Sequence, residues 1–260
     1  MLRGPLLVGG LQTYCTVEGA GPTVLLLHGW GGTSASLQPL ATHLAQRFRT
    51  VTPDLPGFGH TALPPTAWSV TDYAAWAEEL LAKLGIRRAV LLGHSFGGRI
   101  AIVLAATRPA LVERLVLIDS AGLRPPPSPR QRAIALASKV GHAAAALPLF
   151  GPLAARLRRH WHRLVGAEDY ANAGPLRETF VRVVNQDLRE LLPRVTAPTL
   201  LLWGAADTAT PASDGALMAQ LIPQARLIVF PGAGHFSYLE RLAETCAALD
   251  EFLAPALVRL

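Results

Sequence analysis

The chain has 260 residues, of which 50% are hydrophobic and 16% are charged. This length suits one large α/β domain with a full core, and the hydrophobic fraction excludes intrinsic disorder as the main state. The formal net charge of +6 raises the question of a nucleic-acid or anionic-lipid partner, but no zinc-finger, RNA-recognition or helix-turn-helix motif accompanies it, so we expect no nucleic-acid binding.

The first residues and the cysteines favour a cytoplasmic protein without stable membrane insertion. Pro5, Gly9 and Gly10 interrupt the start of the chain, so we expect no signal peptide. The most apolar long stretch, 133–155, is broken by Lys139 and two prolines, whereas a spanning helix needs about 20 apolar residues. Two cysteines do not form a disulfide framework at this length. The sequence gives no indication of the number of subunits.

Short apolar runs that end in turn residues predict a series of strands. Residues 6–18, with Gly9 and Gly10 between two apolar stretches, predict an antiparallel hairpin at a sheet edge. Further short runs are typical of strands buried on both faces. These runs lie at 23–27, 49–53, 89–92, 115–118, 199–203 and 226–230.

Helical patterns separate most of these strand candidates. Regular alternation of strand and helix predicts a mostly parallel sheet with helices on both faces. The predicted helices lie at 36–48, 69–84, 96–107, 212–221 and 238–253.

One segment, 122–194, contains no strand pattern. It opens with a proline-rich stretch, which neither continues a helix nor pairs in a sheet. We interpret it as a helical cap, inserted after the sixth strand of a core formed by 1–121 and 195–260; the alternative is a set of helices that pad one edge. Residues 122–197 are also basic, with 12 Lys or Arg against 5 Asp or Glu. The helical stretches are 130–146, 152–164 and 175–192.

The apolar face of this cap suggests a roof over a substrate pocket. Residues 143–149, followed by Phe150, form an apolar stretch, and the arginines after it can form a charged outer face. We expect the apolar face to cover an acyl pocket shared with Trp30 and Phe96 and to gate entry. Attachment to a membrane surface through the arginines is the alternative.

The motif Gly93-His94-Ser95-Phe96-Gly97 lies directly after a predicted strand and directly before a predicted helix. This is the context in which G-x-S-x-G forms a sharp turn that exposes a serine nucleophile above the sheet. Glycines two positions on either side let the strand and helix approach without a Cβ clash. We therefore predict Ser95 as the nucleophile, and we expect the side chain of His94 to point away from it.

A serine hydroxyl needs a base, and the base needs an orienting acid. His235 follows the last predicted strand, at the same end of the sheet as Ser95, and is the predicted base. Asp207 follows the strand at 199–203 and gives the chain order Ser, Asp, His. Asp119, after the strand at 115–118, is the rival acid, and Asp207 is our choice.

The oxyanion of an acyl-transfer intermediate needs two backbone N–H donors. We predict that Phe96, directly after the nucleophile, supplies one donor and that Trp30 supplies the other. Trp30 lies in His28-Gly29-Trp30-Gly31-Gly32, where the glycines permit a close approach. We expect His28 to brace this loop through hydrogen bonds, and we assign His28 and Gly29 to the lining of the pocket.

Five motifs together resemble the α/β-hydrolase superfamily: HGWGG at 28–32, DLPGFG at 54–59, GHSFGG at 93–98, WGAAD at 203–207 and GAGHF at 232–236. The likeness covers the core and not the cap. It implies the α/β-hydrolase fold with an eight-stranded, mostly parallel sheet, a helical cap above the site, and neither a metal nor an organic cofactor.

A serine at 95 is unlike the aspartate nucleophile of the haloalkane dehalogenases and epoxide hydrolases in that superfamily. The first hypothesis is a carboxylesterase on a small-molecule ester of small to medium acyl chain, with Phe150 and Phe236 lining the pocket. The second is a carbon–carbon bond hydrolase or lyase on a carboxylate-bearing substrate. The basic cap motivates it, since arginines pair well with carboxylates. Arg99, one helical turn after Ser95, could reach into the site, and its position resembles an arginine of the menaquinone-pathway cyclohexadiene carboxylate synthase.

Three further observations favour the esterase hypothesis over its alternatives. Carbon–carbon hydrolases commonly have asparagine before the serine, where this chain has His94. A proline-iminopeptidase activity would need acidic groups to hold an amine, and the cap is basic. A non-catalytic ligand receptor would use the same pocket, but binding alone does not require Ser95, Asp207 and His235 together.

Overall fold

Eight strands form one sheet in the order β1-β2-β4-β3-β5-β6-β7-β8. The computed structural model describes residues 2–124 and 173–257. The first two strands form an antiparallel hairpin, β2 pairs antiparallel with β4, and the remaining pairs are parallel, so the predicted topology is confirmed. The strands are β1 Leu2–Val8, β2 Leu11–Glu18, β3 Thr23–Leu27, β4 Arg49–Pro53, β5 Ala89–His94, β6 Val112–Ile118, β7 Thr199–Gly204 and β8 Ala225–Phe230.

Helices cover both faces of this sheet. Local sequence explains their starts: at Ser69, for example, the side chain accepts from the Asp72 backbone N–H, and the Asp72 carboxylate accepts from the Ser69 N–H, so a capping box begins the second helix. The α-helices of the described residues are α1 Gln38–Leu44, α2 Val70–Lys83, α3 Phe96–Thr107, α4 Arg177–Asn185, α5 Ala212–Leu221, α6 Ser237–Glu240 and α7 Leu242–Leu257.

The core consists of two layers separated by the sheet. Successive side chains of a strand point to opposite faces, so Leu25 and Leu27 of β3 pack in the layer that contains α2 and α3. Val24 and Leu26 pack in the other layer, with side chains of α1 and α7. All five residues of β3 are buried, as the continuous apolar run predicts. This double burial makes the central strands a rigid support for the loops at their carboxyl ends.

Several predicted boundaries differ from the structure. The helix predicted at 36–48 is a 3-10 turn, Ser34–Leu37, followed by α1, and the helix at 238–253 is divided into α6 and α7. The helix predicted at 175–192 contains α4, but Arg189–Arg194 is a 3-10 helix with a proline inside it. In addition, β8 is the last strand of the sheet, and most of its residues are partly or fully exposed, not buried on both faces.

The connection from β6 to β7 runs from 119 to 198 and contains the predicted cap. The helical stretches predicted at 130–146 and 152–164, and the pocket roof with Phe150, lie outside the described residues. Across 2–124 and 173–257 no helix is long and apolar enough to cross a membrane. Cys15 and Cys246 are both free thiols.

Candidate active site

The turn between β5 and α3 holds Ser95 in a strained backbone conformation, with φ of 49°. A Cβ on Gly93 would lie 2.5 Å from the carbonyl carbon of Gly97, and a Cβ on Gly97 would collide with the carbonyl oxygen of Leu27. The close approach of β5 and α3 therefore requires glycine at positions 93 and 97, because a side chain at either position would collide with the backbone. Strain of this kind persists only where the surrounding structure holds it, and here it places Ser95 at the N-terminus of α3, where developing negative charge is favoured.

The three predicted catalytic side chains lie in one hydrogen-bonded line. His235 Nε2 is 3.0 Å from Ser95 Oγ, and His235 Nδ1 is 2.8 Å from Asp207 Oδ2. The strands β5, β7 and β8 bring them together, because each residue follows the carboxyl end of one of these parallel strands. This geometry suits proton transfer from a serine hydroxyl to an imidazole that a carboxylate orients.

The carboxylate of Asp207 is fully surrounded by donors. Its Oδ1 accepts from the backbone N–H groups of Ala209 and Thr210, at 2.8 Å and 3.0 Å. Its Oδ2 accepts from His235 and from the Thr210 hydroxyl, the latter at 2.7 Å. Burial alone would raise the pKa of Asp207, but hydrogen bonds from His235 and Thr210 outweigh burial and hold the pKa below its usual value. Asp207 is therefore ionised at neutral pH.

Asp119, the rival acid, has a different set of partners. Its Oδ1 accepts from the Gly204 N–H at 2.8 Å, and its Oδ2 accepts from the Ser237 N–H at 3.0 Å. Asp119 thereby connects the end of β7 to the start of α6, which directly follows the loop that carries His235. Burial raises the pKa of Asp119 to about 6, against the lowering effect of these hydrogen bonds. We therefore interpret Asp119 as a support for the site and Asp207 as the partner of His235.

His94 links the serine turn to the histidine loop. Its Nε2 lies 2.9 Å from the backbone carbonyl oxygen of His235, and the two imidazole rings are 5.0 Å apart. The His94 side chain thus contacts the backbone and the ring of His235, and its direction relative to Ser95 stays a prediction. Burial lowers the pKa of His94 to about 4, so it is neutral at pH 7 and donates from Nε2.

The two predicted oxyanion donors belong to neighbouring residues. The Trp30 and Phe96 rings are 5.2 Å apart, and a Cβ on Gly29 would lie 3.4 Å from the Ser95 Cβ, so this loop packs directly against the serine turn. His28 braces the loop as expected: Nδ1 donates to the Gly29 carbonyl at 2.8 Å, and Nε2 accepts from the Leu55 N–H at 2.9 Å. Burial lowers its pKa to about 4, which keeps the neutral form these bonds require.

Aromatic rings form a wall beside the serine. The Trp30 ring lies 5.0 Å from Phe58 and 5.0 Å from Phe180, and Phe96 lies 5.0 Å from Tyr73. Phe180 and Phe58 were not predicted as site residues. Phe58 follows β4 within the DLPGFG motif, whereas Phe180 comes from α4 and carries no local signal of its position.

Two further residues predicted to line the pocket have defined surroundings. Arg99 is buried, and its Nη1 donates to the backbone carbonyl of Gln186 at 2.7 Å. Burial lowers its pKa to about 10, with Asp187 acting in the opposite sense, so the guanidinium remains charged. It therefore ties α3 to the chain after α4, and its place in the pocket stays a prediction. Phe236 is 50% exposed and packs against His94 and His235.

Thr210 is a further residue that the motifs did not indicate. Its hydroxyl touches Asp207, the carbonyl of Asp119 and Nδ1 of His235 at 2.7, 3.0 and 3.3 Å. The available signal was a hydroxyl residue three positions after the acid, where a turn can fold back on the carboxylate. Within the described parts of the chain, no three His, Cys, Asp or Glu side chains are grouped to hold a metal ion.

A family model described as "Alpha/beta hydrolase family" matches residues 24–248. The chain belongs to the alpha/beta hydrolase family. This match includes the serine turn, the loop at 28–32 and the loop that carries His235, and it confirms the family resemblance of the sequence motifs.

Relatives and solved structures place the protein among hydrolase enzymes. It is 28% identical to the sn-1-specific diacylglycerol lipase ABHD11 of Mus musculus, over 90% of this chain and 81% of that protein. It is 28% identical to the 2-(acetamidomethylene)succinate hydrolase of Mesorhizobium japonicum, over 88% of this chain and 87% of that protein. The crystal structure of a hydrolase from Pseudomonas aeruginosa PA01 superimposes with a TM-score of 0.75 at 29% identity, covering 96% of this chain and 98% of that one.

Proposed function

We propose that the protein is a serine hydrolase that cleaves carboxylic esters of small to medium acyl chain through an acyl-enzyme intermediate. The observation that carries this proposal is the line of Ser95, His235 and Asp207, with contacts of 3.0 Å and 2.8 Å. A receptor without catalysis has no need for a hydroxyl, an imidazole and an ionised carboxylate in this order. The lipase named among the relatives hydrolyses an ester, and supports the same class.

The mechanism follows from these positions. His235 Nε2 takes the Ser95 proton as Oγ attacks the ester carbonyl, and the carbonyl oxygen becomes an oxyanion held by the backbone N–H groups of Trp30 and Phe96. As the carbon–oxygen bond breaks, His235 gives the proton to the leaving alcohol. Water then attacks the acyl-enzyme, His235 takes a proton from that water and returns a proton to Ser95, and the carboxylic acid leaves. Asp207 stabilises the imidazolium in both halves.

The surroundings of the serine favour a neutral acyl group. Trp30 and Phe180 are partly exposed and lie against each other, and Trp30 is backed by the buried rings of Phe58 and Phe96, so the surface offered here is apolar and suits a hydrocarbon chain or ring better than a carboxylate. The guanidinium of Arg99, which the carbon–carbon hydrolase hypothesis places in the site together with the cap arginines, donates to the backbone carbonyl of Gln186. This contact supports the ester hypothesis over one in which Arg99 itself holds a substrate carboxylate.

The test is hydrolysis of p-nitrophenyl esters from acetate to dodecanoate, with Ser95→Ala as the inactive variant. Ser213→Ala, an exposed serine on α5, is the matched control. We expect turnover with a maximum at one chain length, lost in Ser95→Ala and retained in Ser213→Ala. Absence of turnover from the folded protein would overturn the ester hypothesis, and turnover of carboxylate-bearing dienes in its place would establish the carbon–carbon hydrolase.

A further inference from the structure

The Thr210 hydroxyl lies at the junction of the acid and the base. Its oxygen is 2.7 Å from Asp207 Oδ2, the same oxygen that His235 Nδ1 contacts at 2.8 Å. A hydroxyl has one proton to donate, and the Asp119 carbonyl is a second acceptor at 3.0 Å. Nδ1 of His235, 3.3 Å away, carries the proton that it donates to Asp207 and therefore does not accept from the hydroxyl. Hydrogen bonds to an ionised acceptor are shorter and stronger than neutral ones, so the Thr210 proton points to the carboxylate.

The rest of Thr210 is fixed by its neighbours. Its backbone N–H donates to Asp207 Oδ1 at 3.0 Å, and its carbonyl accepts from the indole N–H of Trp203 at 2.7 Å. The residue is 8% exposed, so water does not compete for the hydroxyl. Asp207 Oδ2 therefore accepts two hydrogen bonds, one from the base and one from a fixed side chain.

We propose that Thr210 is a positioning residue that shares Asp207 Oδ2 with His235 and thereby limits how strongly Asp207 stabilises the protonated imidazole. This proposal rests on the proposed function and adds to it a residue that sets the pH range of the reaction. A carboxylate oxygen that already accepts one hydrogen bond offers less negative charge to a second donor. Removal of the hydroxyl strengthens the Asp207–His235 bond, and the imidazole then holds its proton to higher pH.

Other titratable groups face this pair from neighbouring elements. Asp119 follows β6, His94 ends β5, and Asp214 lies on α5; each interacts electrostatically with Asp207. Arg189 in turn interacts with Asp214. All of these groups remain in place when Thr210 alone is changed, so a comparison of variants at this position isolates the hydroxyl.

The test compares Thr210→Val, which replaces the hydroxyl with a methyl group, with Thr210→Ser, which keeps it. We expect Thr210→Val to shift the acidic limb of the kcat/KM profile for a p-nitrophenyl ester to higher pH by about half a unit. At a given pH on that limb, the active fraction of the enzyme would then be about threefold lower. In Thr210→Ser, the midpoint of the acidic limb should lie at the wild-type pH within experimental error. Thr210→Ala serves as a second variant without the hydroxyl if the valine does not fit.

A second measurement does not depend on turnover. The proton between His235 and Asp207 gives a downfield proton NMR resonance, which should move further downfield in Thr210→Val and stay in Thr210→Ser. A slower Thr210→Val enzyme with an unmoved limb and an unmoved resonance would show that Thr210 is structural only, and the proposal would be wrong. If the wild type hydrolyses no ester, the proposed function fails, while the resonance still decides whether Thr210 shares the carboxylate.

Discussion

The two sides of the candidate site are held by different forces. On the side of β6, β7 and β8, directional hydrogen bonds at 2.7 to 3.3 Å connect Asp119, Thr210, Asp207 and His235. On the side of β3, β4 and α4, aromatic rings pack at centroid distances near 5 Å around Trp30. Hydrogen bonds lose their strength over a few tenths of an ångström and a few tens of degrees, whereas ring packing adapts.

This difference teaches where substitution will be tolerated. The hydrogen-bonded side aligns a proton path, so Asp207 and His235 each have one acceptable chemistry, and Thr210 and Asp119 support them. The aromatic side provides an apolar surface, which several side chains of similar volume can supply. Loss of Asp207 or His235 should therefore abolish catalysis, loss of Thr210 or Asp119 should change pH dependence or stability, and a change on the aromatic side should alter only substrate preference.

The largest effect is expected from Asp207→Asn, compared with Asp119→Asn. An amide at 207 leaves His235 in the wrong tautomer, and by analogy with serine proteases kcat should fall about 10⁴-fold. Asp119→Asn loses one acceptor for a backbone N–H and should cost about 1–3 kcal/mol of stability while kcat falls far less. Initial rates and urea unfolding of both variants check this. An equal loss of kcat in both would break the distinction between orienting acid and structural support.

A smaller effect concerns stability in acid, because two buried neutral histidines lie at the site, His28 directly after β3 and His94 at the end of β5. The pKa values of His28 and His94 are lowered to about 4 in the folded protein, so the stability they contribute is present above about pH 6.5 and is lost as pH falls toward 4. Each should cost about 2 kcal/mol between pH 7 and pH 5. Asp119, with its pKa raised to about 6, acts in the opposite sense over the same range and offsets part of the loss.

Urea unfolding at the two pH values measures this loss, and His94→Gln supplies the comparison. The variant removes one titrating group, so its stability should fall less between pH 7 and pH 5 than that of the wild type. A loss equal to that of the wild type would contradict the assignment of His94 as a buried neutral donor.

The smallest effect is expected on the aromatic side, from Phe180→Ala. Its ring is partly exposed 5.0 Å from Trp30. An acyl chain packed on this ring would lose about 40 Å² of apolar contact, which costs about 1 kcal/mol, so KM for longer acyl esters should rise about fivefold with little change in kcat. Phe180→Leu, which keeps most of the apolar volume, should stay near the wild-type KM. A fall in kcat with unchanged KM would show that α4 positions the reacting groups, and the contrast between the two sides would then disappear.

Local sequence was sufficient for the parts of the site that short motifs encode. Ser95 lies in a five-residue motif whose glycines are required by the close contact of β5 and α3, and His235 and Asp207 follow strands that apolar runs predict. The same runs predicted the sheet, because burial on both faces leaves a continuous apolar signature.

The remaining features depend on contacts between distant segments. Phe180 reaches Trp30 across 150 positions of sequence, and nothing in the local pattern of α4 encodes that neighbour. The role of Asp119 follows from its hydrogen bonds with Gly204 and Ser237. These partners are distant in sequence and are brought to Asp119 by the packing of the folded chain, so no local pattern predicts them. The exposure of β8 similarly follows from its place at the edge of the sheet, which its apolar residues do not reveal.

The helix that begins at the nucleophile has a consequence for how activity is lost. Every residue of α3 from Phe96 to Ala106 is buried, and β5, which precedes the serine, is buried throughout. Amide hydrogens in such elements exchange with solvent mainly through global opening. We therefore expect Ser95 to keep its position until the core itself opens. Inactivation by heat that precedes the melting curve would then originate at the other end of the proton path, in the loop between the exposed strand β8 and Phe236 that carries His235.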